Sequence, residues 1–280
     1  MSIHPSTTRN NTQRTEKRHN MEPLLKDQVA IVTGSGGGIG AGIAEALGGF
    51  GAKVVITDID ETKVKSRVDH LASVGITAFG VQHDVTSSES GAAMAEAVVA
   101  EFGQIDVLVN NAGISGRVPL IEMTDQEWDA MINVNLTGVQ RTSRAVASLM
   151  KAQGHGSIIS ISSVAGRSGK KNMTHYCASK FGVIGFSQSL ALELAADNVR
   201  VNAICPGIVR TQMWEVELAE ISEAKNITIE EAWTQTLAGI PLLRPQLPED
   251  IGAAAAFLAS PLAKNITGQA LNVDGGFEMS

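Results

Sequence analysis

Nearly continuous runs of aliphatic and β-branched residues alternate with longer amphipathic stretches from Gln28 onward. Apolar runs without polar alternation are typical of parallel strands that are covered on both faces of a sheet. The pattern predicts seven strands, at Val29–Thr33, Lys53–Thr57, Thr77–Gln82, Ile105–Asn110, Ser157–Ser162, Val199–Cys205 and Ala270–Val273.

The stretches between these runs repeat apolar residues at helical spacing. In the first stretch Ile39, Ile43 and Leu47 recur every four residues, and longer helix-like stretches cover Asp125–Ala152 and Tyr176–Ala196. Strands separated by helices predict βαβ units with right-handed crossovers, which place helices on both faces of a parallel sheet. The predicted fold class is therefore α/β, as one doubly wound domain with about seven parallel strands.

Two regions depart from this alternation. Residues 1–24 are polar and lack the apolar stretch of a secretory signal, so we expect a disordered tail ahead of a single domain at 25–280. Residues 211–248 contain a short helical pattern followed by Gly239 and Pro241. This least regular part of the domain is predicted to be a substrate lid.

Composition narrows the function classes. The formal net charge is −7, whereas a nucleic-acid-binding face needs a concentration of basic residues. No apolar run approaches the roughly 20 residues that cross a bilayer. Cys177 and Cys205 form neither a metal-ligand pattern nor a redox pair. We therefore expect a soluble cytoplasmic protein with reduced thiols and with no metal, membrane or nucleic-acid partner.

A cluster of glycines joins the first predicted strand to the first helix in the sequence VAIVTGSGGGIGAGIAEAL. Glycines at a strand-to-helix turn let the backbone approach a pyrophosphate, whose charge faces the amino terminus of the helix. The residues predicted to make this dinucleotide contact are Gly34, Gly38, Ile39 and Gly40.

Asp58 follows the second predicted strand. A carboxylate at this place can accept hydrogen bonds from the adenine ribose hydroxyls, and it repels a 2′-phosphate. No Arg or Lys stands in the glycine loop or immediately after Asp58. The predicted cofactor is therefore NAD, with NADP less favoured.

The order of short motifs from about Gln28 to Gly276 resembles the short-chain dehydrogenase/reductase family. TGSGGGIG is similar to the TGxxxGxG turn of that family, and Tyr176 with Lys180 matches its YxxxK pair. The other matching residues are Asp84-Val85, Asn110-Asn111-Ala112-Gly113, Asn135, Ser163 and Pro206-Gly207 with Val209 and Thr211. The resemblance implies a Rossmann fold and an oxidoreductase acting on CH–OH groups.

The resemblance also implies roles for these residues. Cofactor contacts would come from Asp84, Val85, Asn111, Ala112, Gly113, Pro206, Gly207, Val209 and Thr211, together with Tyr176 and Lys180. Asn135 would hold a water that links Lys180 to solvent, and Ser163 would donate a hydrogen bond to the substrate oxygen.

Tyr176 is the predicted acid/base of a hydride transfer between nicotinamide and a carbon-bound oxygen. Tyr176 and Lys180 are one helical turn apart, so both side chains leave the same face of the predicted helix. A free tyrosine, with a pKa near 10, is a poor base at neutral pH, and a neighbouring ammonium favours its phenolate.

The substrate is less well defined than the chemistry. His175, Met213 and Trp214 are candidate substrate contacts beside Ser163, and the segment after Pro206 resembles members that act on small diols, polyols or acetoin-like ketones. One alternative is reduction of a 3-oxoacyl thioester, and another is a catalytically idle NAD-binding sensor or scaffold. The resemblance further implies a homotetramer.

Overall fold

The computed structural model describes residues 23–210 and 212–279, without the side chains of residues 212, 213, 216 and 217. The strands in the described residues are β1 (Val29–Val32), β2 (Lys53–Asp58), β3 (Ala78–Gln82), β4 (Val107–Asn110), β5 (Gly156–Ile161), β6 (Val199–Pro206) and β7 (Ala270–Val273). The α-helices are α1 (Gly38–Gly49), α2 (Glu61–Ser73), α3 (Ser88–Phe102), α4 (Asp125–Ile132), α5 (Gly138–Gln153), α6 (Thr174–Leu194), α7 (Gln212–Lys225), α8 (Ile229–Leu237) and α9 (Pro248–Ala259).

All seven strands are parallel, in the order β3-β2-β1-β4-β5-β6-β7. The chain runs outward from β1 to β3 and then crosses back to β4, which pairs with the free side of β1. Ligands of such sheets bind in the crevice at the carboxyl ends of the strands where the order reverses. The predicted α/β Rossmann fold is confirmed, and the crevice lies between the segments that follow β1 and β4.

Alternate residues of the central strands face two different apolar layers. Ala30 and Val32 belong to the layer that β1 forms with α1, α2 and α9. Val29 and Ile31 belong to the layer formed with α3, α5 and α6. Each fully buried aliphatic side chain contributes roughly 1.5–3 kcal/mol. Both layers therefore hold the strand ends, and the loops that follow them, in fixed positions.

Helices α1 and α9 approach each other through glycine. A methyl group on Gly42 would stand 2.3 Å from Cβ of Pro248, and one on Gly252 would stand 2.8 Å from the carbonyl oxygen of Gly42. Because Pro248 is the first residue of α9, the end of the predicted lid is packed against the helix that follows the glycine turn.

Glycine also ends two helices at the opposite, amino edge of the sheet. Gly103 follows α3 with φ 80°, and Gly154 follows α5 with φ 73°. Such left-handed residues close a helix with little strain only when they lack Cβ. No other side chain or backbone segment lies within 4 Å of the place where a Cβ would be added at either residue.

The structure differs from the predicted elements in two places. The helix-like stretch Asp125–Ala152 is not one α-helix, because a π-helical turn at Asn133–Thr137 separates α4 from α5. The 211–248 segment is more regular than predicted, since it contains α7 and α8. The predicted disordered tail falls almost wholly outside the described residues, and Leu24 at its end packs against the core.

Candidate active site

The glycine turn after β1 leaves an open backbone surface at the start of α1. Gly37 precedes the helix without a side-chain cap, Gly38 has φ +57°, and a Cβ on either would meet no atom within 4 Å. Gly40, by contrast, is buried inside the turn, and a Cβ on it would stand 2.5 Å from the carbonyl oxygen of Gly34. A tight turn with exposed helix amide groups fits the pyrophosphate of a dinucleotide.

The segment after β4 braces this turn. Thr33 is buried, and its hydroxyl accepts hydrogen bonds from the backbone amides of Asn111 (2.9 Å) and Ala112 (3.0 Å). The Asn111 amide group donates to the carbonyl oxygens of Thr33 (2.9 Å) and Gly34 (3.0 Å). A Cβ on Gly34 would stand 2.8 Å from Cα of Ala112, so the two segments are in backbone contact.

Asp58 lies at the end of β2, directly beside the glycine turn. Its carboxylate accepts hydrogen bonds from the backbone amides of Gly36 (3.2 Å) and Asp60 (3.2 Å), and it stays partly exposed. A Cβ on Gly36 would lie 2.9 Å from Asp58 Oδ2 and 2.6 Å from Cβ of Lys63. The first turn of α2 therefore places Lys63 beside the glycine turn, although the sequence analysis predicted no cation there.

Asp84 follows β3 and is held in a fixed orientation. Its Oδ1 accepts from the hydroxyl (2.7 Å) and the amide (2.8 Å) of Thr86, and these bonds lower the pKa of Asp84. Buried His83 contacts the hydroxyls of Ser90 (3.0 Å) and Thr142 (3.2 Å), and burial lowers its pKa against the opposing effect of Asp84. Ser90 also accepts from the Asp84 amide (3.0 Å).

Two further predicted cofactor residues are fixed by packing. Val85 contacts the start of α5, where a Cβ on Gly138 would stand 3.0 Å from Val85 Cγ2. Ile39, partly buried, packs against the core layer under α1.

The Pro206-Gly207 segment ends β6 at the same edge of the sheet. The Gly207 amide donates to the carbonyl oxygen of Val273 (3.1 Å), and buried Val209 forms a bridge with Gln246. Thr211 lies outside the described residues.

Asn135 is buried in the π-helical turn and holds the segment that follows Gly113. Its Oδ1 accepts from the Ile114 amide (2.8 Å), and its Nδ2 donates to the Ile114 carbonyl oxygen (2.8 Å) and approaches the Ser179 hydroxyl (3.3 Å). A Cβ on Gly113 would stand 3.2 Å from Asn135 Oδ1 and 3.7 Å from Lys180 Nζ. Asn135 and Lys180 thus border the same space, and the bridging water remains a prediction.

Ser163, Tyr176 and Lys180 meet at the carboxyl end of β5. The Ser163 oxygen accepts from the Ala165 amide (3.1 Å), which leaves its hydrogen able to donate. Tyr176 packs against Ala165 and the start of α6, and Lys180 Nζ lies 5.6 Å from the centre of its ring. Lys180 Nζ donates to the Ile161 carbonyl oxygen (3.0 Å).

Lys180 is only 5% exposed, and burial lowers its pKa from 10.5 to about 8. A negative charge on the Cys205 sulfur, on the neighbouring strand, would oppose this shift. Burial raises the pKa of Cys205, so the thiol stays protonated at neutral pH. The pKa of Lys180 therefore lies closer to neutral pH than that of an exposed lysine.

The predicted substrate contacts have different surroundings. His175 is only 3% exposed, its Nδ1 has no hydrogen-bond partner, and burial lowers its pKa against the opposing effect of Glu127. Trp214 packs edge-on against Trp233, 6.3 Å between ring centres, inside the 211–248 segment. The Met213 side chain lies outside the described residues.

Sequence reasoning missed Thr33, Lys63 and Ser179. The contacts of Thr33 and Ser179 join segments far apart in the chain, such as Thr33 with Asn111 across 78 positions, so no local pattern signals these two residues. The lysine spacing after Asp58 was a usable signal, because Lys63 falls in the first turn of the following helix.

The described residues contain neither a candidate membrane span nor a candidate metal cluster. Among residues 23–210 and 212–279, no helix combines the length and hydropathy of a membrane span. Those residues also contain no cluster of three or more His, Cys, Asp or Glu side chains suited to a metal ion.

Comparison with known proteins agrees with this geometry. Residues 34–278 match the family model described as enoyl-(acyl carrier protein) reductase. The chain is 41% identical to the 3-oxoacyl-(acyl-carrier-protein) reductase of Vibrio cholerae over 255 residues, which cover 91% of this chain and 99% of that protein. It is 39% identical to galactitol 2-dehydrogenase of Agrobacterium fabrum over 257 residues, with 91% and 99% covered.

A solved structure is similar over nearly the whole length. It is a variant of actinorhodin polyketide ketoreductase with NADPH, which superposes with a TM-score of 0.86 at 38% identity. The superposition covers 89% of this chain and 97% of the ketoreductase.

Proposed function

Because the chain belongs to the short-chain dehydrogenase/reductase family, whose members are oxidoreductases acting on CH–OH groups, we propose that it interconverts a secondary alcohol and a ketone with Tyr176 as acid/base. The observation that carries this proposal is the grouping of Ser163, Tyr176 and Lys180 at the carboxyl end of β5, next to the braced glycine turn.

Each of these side chains has one task in the proposed reaction. The chemistry that a bound nicotinamide would supply is the gain or loss of a hydride. Tyr176 exchanges a proton with the substrate oxygen, and the buried ammonium of Lys180 favours the phenolate during that exchange. The Ser163 hydroxyl donates to the same substrate oxygen as charge develops on it. Asn135 keeps Ile114 and the neighbouring Gly113 in place beside Lys180.

NAD is the proposed cofactor. The Asp58 carboxylate lies beside the glycine turn, where it would accept hydrogen bonds from the hydroxyls of an adenine ribose and would repel a 2′-phosphate. Lys63, whose Cβ lies next to the same turn, would weaken that repulsion, and the similar ketoreductase was solved with NADPH. NADP therefore remains the second candidate.

The relatives favour a 3-oxoacyl thioester over a diol or polyol as substrate. Several of them are named as 3-oxoacyl-(acyl-carrier-protein) reductases or ketoacyl reductases, so we place this class first. A small polyol is the second candidate because of the galactitol dehydrogenase. The 211–248 segment supports it as well, since six glutamates against Lys225 and Arg244 would repel an acidic carrier protein.

A substrate panel tests both the proposed substrate class and the proposed role of Tyr176. NADH and NADPH would be assayed with a 3-oxoacyl thioester, and NAD and NADP with galactitol and small diols. Tyr176→Phe removes the proton donor but keeps the ring, so we expect turnover to fall by about 10²–10⁴-fold while cofactor binding is retained. An equally active Tyr176→Phe enzyme would rule out the mechanism, and an inactive wild type that binds NADH would favour a sensor or scaffold.

The cofactor proposal is tested by Asp58→Ala and Lys63→Met. We expect Asp58→Ala to shift the ratio of kcat/KM values toward NADP by at least about tenfold, because a repulsive charge is removed. Lys63→Met should shift the ratio toward NAD. An unchanged ratio in Asp58→Ala contradicts the assignment of the carboxylate to the ribose.

Cytoplasmic location and the homotetramer also remain proposals. The mass of the purified protein from light scattering checks the second of them.

A further inference from the structure

We propose that the carboxyl-terminal turn, Asp274–Glu278, positions the Ser163 loop (residues 162–173) by joining it to the 211–248 segment, with Phe277 and Glu278 as positioning residues. The inference rests on the proposed function only where it concerns turnover. The link between the Ser163 loop and the 211–248 segment is a property of the substrate-free protein.

The conformation of the turn directs the adjacent side chains of Phe277 and Glu278 toward two different segments. Gly275 and Gly276 both have positive φ, +67° and +88°, which reverses the chain after β7. The Asp274 carboxylate, only 4% exposed, accepts hydrogen bonds from the amides of Gly276 (2.9 Å) and Glu278 (2.9 Å). The conformation of the turn is therefore fixed by a buried group.

Phe277 enters the apolar cluster of the 211–248 segment. That cluster contains buried Leu218, Trp233 and Ile240, with Trp214 and Phe277 packed against it. A Cβ on Gly239 would lie 3.5 Å from the Phe277 ring, and the Leu242 amide donates to the Gly275 carbonyl oxygen (3.1 Å). Both α7 and α8 thus contribute residues to the cluster that includes Phe277.

Glu278 binds the Ser163 loop. Its Oε1 accepts from Lys170 Nζ (2.6 Å) and from the Ser168 hydroxyl, and Lys170 also lies over the Phe277 ring, 5.0 Å from its centre. The Glu278 carbonyl oxygen accepts from the Asn272 amide group (2.9 Å), which ties the turn to β7. Lys170 is thus engaged by Glu278.

The ion pair between Lys170 and Glu278 is partly shielded from solvent, which strengthens its contribution to the stability of the turn. The side chains of Lys170 and Glu278 are 26% and 21% exposed, and the pair shares its carboxylate with Ser168. Lys170 and Ser168 lower the pKa of Glu278, so the pair remains charged at neutral pH. Networks of this kind contribute more than isolated exposed pairs.

Hydrogen–deuterium exchange on the chain without substrate tests the joining directly. We expect Glu278→Gln and Phe277→Ala each to speed exchange both in the Ser163 loop and in residues 229–242. Asp197→Asn is the matched control, because it weakens the Lys151–Asp197 pair (3.0 Å), in which the Asp197 side chain is 23% exposed. Asp197 follows the carboxyl end of α6, whereas the Ser163 loop precedes the amino end of that helix. If Glu278→Gln changes exchange no more than Asp197→Asn does, the proposal is overturned.

Kinetics test the positioning role. We expect Glu278→Gln to lower kcat/KM for the ketone or alcohol on the order of ten- to a hundredfold, with KM for the cofactor unchanged, because only the Ser163 loop and the substrate side move. Lys170→Met should give a similar loss that is not additive with Glu278→Gln, and Lys170→Arg should restore activity. Additive losses, or an equal rise in cofactor KM, count against the role. A wild type inactive on every substrate refutes the proposed function but leaves the exchange experiment decisive for the joining.

Discussion

Lys180 carries a charge in surroundings that disfavour it. Burial lowers its pKa to about 8, whereas in the unfolded chain the group holds its proton to about pH 10.5. The difference corresponds to a cost on the order of 3 kcal/mol, because each pKa unit is 1.36 kcal/mol. Below about pH 8 this cost is present in full. Between about pH 8 and 10.5 the unfolded state binds more protons, so stability recovers as the pH rises.

We expect Lys180→Met to stabilise the cofactor-free chain at pH 7 by about 1–2 kcal/mol, since the lost bond to the Ile161 carbonyl oxygen offsets part of the gain. The gain should shrink at pH 10. Denaturant unfolding at both pH values measures it, with exposed Lys264→Met as control. A variant that is less stable than wild type by the same amount at both pH values would contradict this account, and activity should be lost in any case.

At the scale of elements, the contact between α1 and α9 depends on the absence of side chains. Gly42 has no room for a methyl group against Pro248, and Gly49 at the end of the same helix has open space around it. The two positions therefore separate packing from helix propensity.

We expect Gly42→Ala to lower the free energy of unfolding by about 1–3 kcal/mol through overpacking. Gly49→Ala should leave it unchanged or raise it by up to about 1 kcal/mol, because alanine favours the helix. Denaturant titration of both variants provides the measurement. Equal effects at the two sites would show that the helices can separate without cost.

The elements themselves were largely predictable from the sequence. Strands made of continuous aliphatic runs, such as Val29–Val32, have a local signal that tertiary contacts only reinforce. The π-helical turn at Asn133–Thr137 has no such signal. Asn135 is held there by Ile114, which lies 21 positions away, so the local helical pattern predicted one unbroken helix.

The candidate site was predictable where motifs stand in chain order and hidden where contacts are distant. Ser163, Tyr176 and Lys180 were predicted from their resemblance to family motifs in chain order, and the structure groups them near the end of β5. The buried state of His175 was not predicted, because its neighbours on other elements are absent from the local pattern. Glu278 meets Ser168 across 110 positions, and no motif marks either residue.

At the scale of the whole molecule, the carboxyl and amino edges of the sheet carry different groups of side chains. The carboxyl edge carries the candidate site. At the amino edge the Asp106 carboxylate, 5% exposed, accepts from the Val29 amide (2.7 Å), Gln104 Nε2 (2.7 Å) and His155 Nε2 (2.9 Å). This cluster joins the beginnings of β1, β4 and β5 far from the crevice.

We expect Asp106→Ala to lower the free energy of unfolding by about 1–3 kcal/mol, because the buried Val29 amide loses its acceptor. Both kcat and KM at 25 °C should match the wild type. Asp69→Ala, which breaks only the exposed pair with Lys65, is the control and should change little. A large loss of turnover in folded Asp106→Ala would show that the two edges are coupled.

The glycine-capped turns at Gly103 and Gly154 sit on that same amino edge, with open space where a side chain would project. Exposed helix-to-strand turns of this kind tolerate added sequence. A reporter peptide grafted into either turn would emerge on the side opposite the crevice. Such a labelled molecule could be immobilised or tracked while its catalytic side faces the medium.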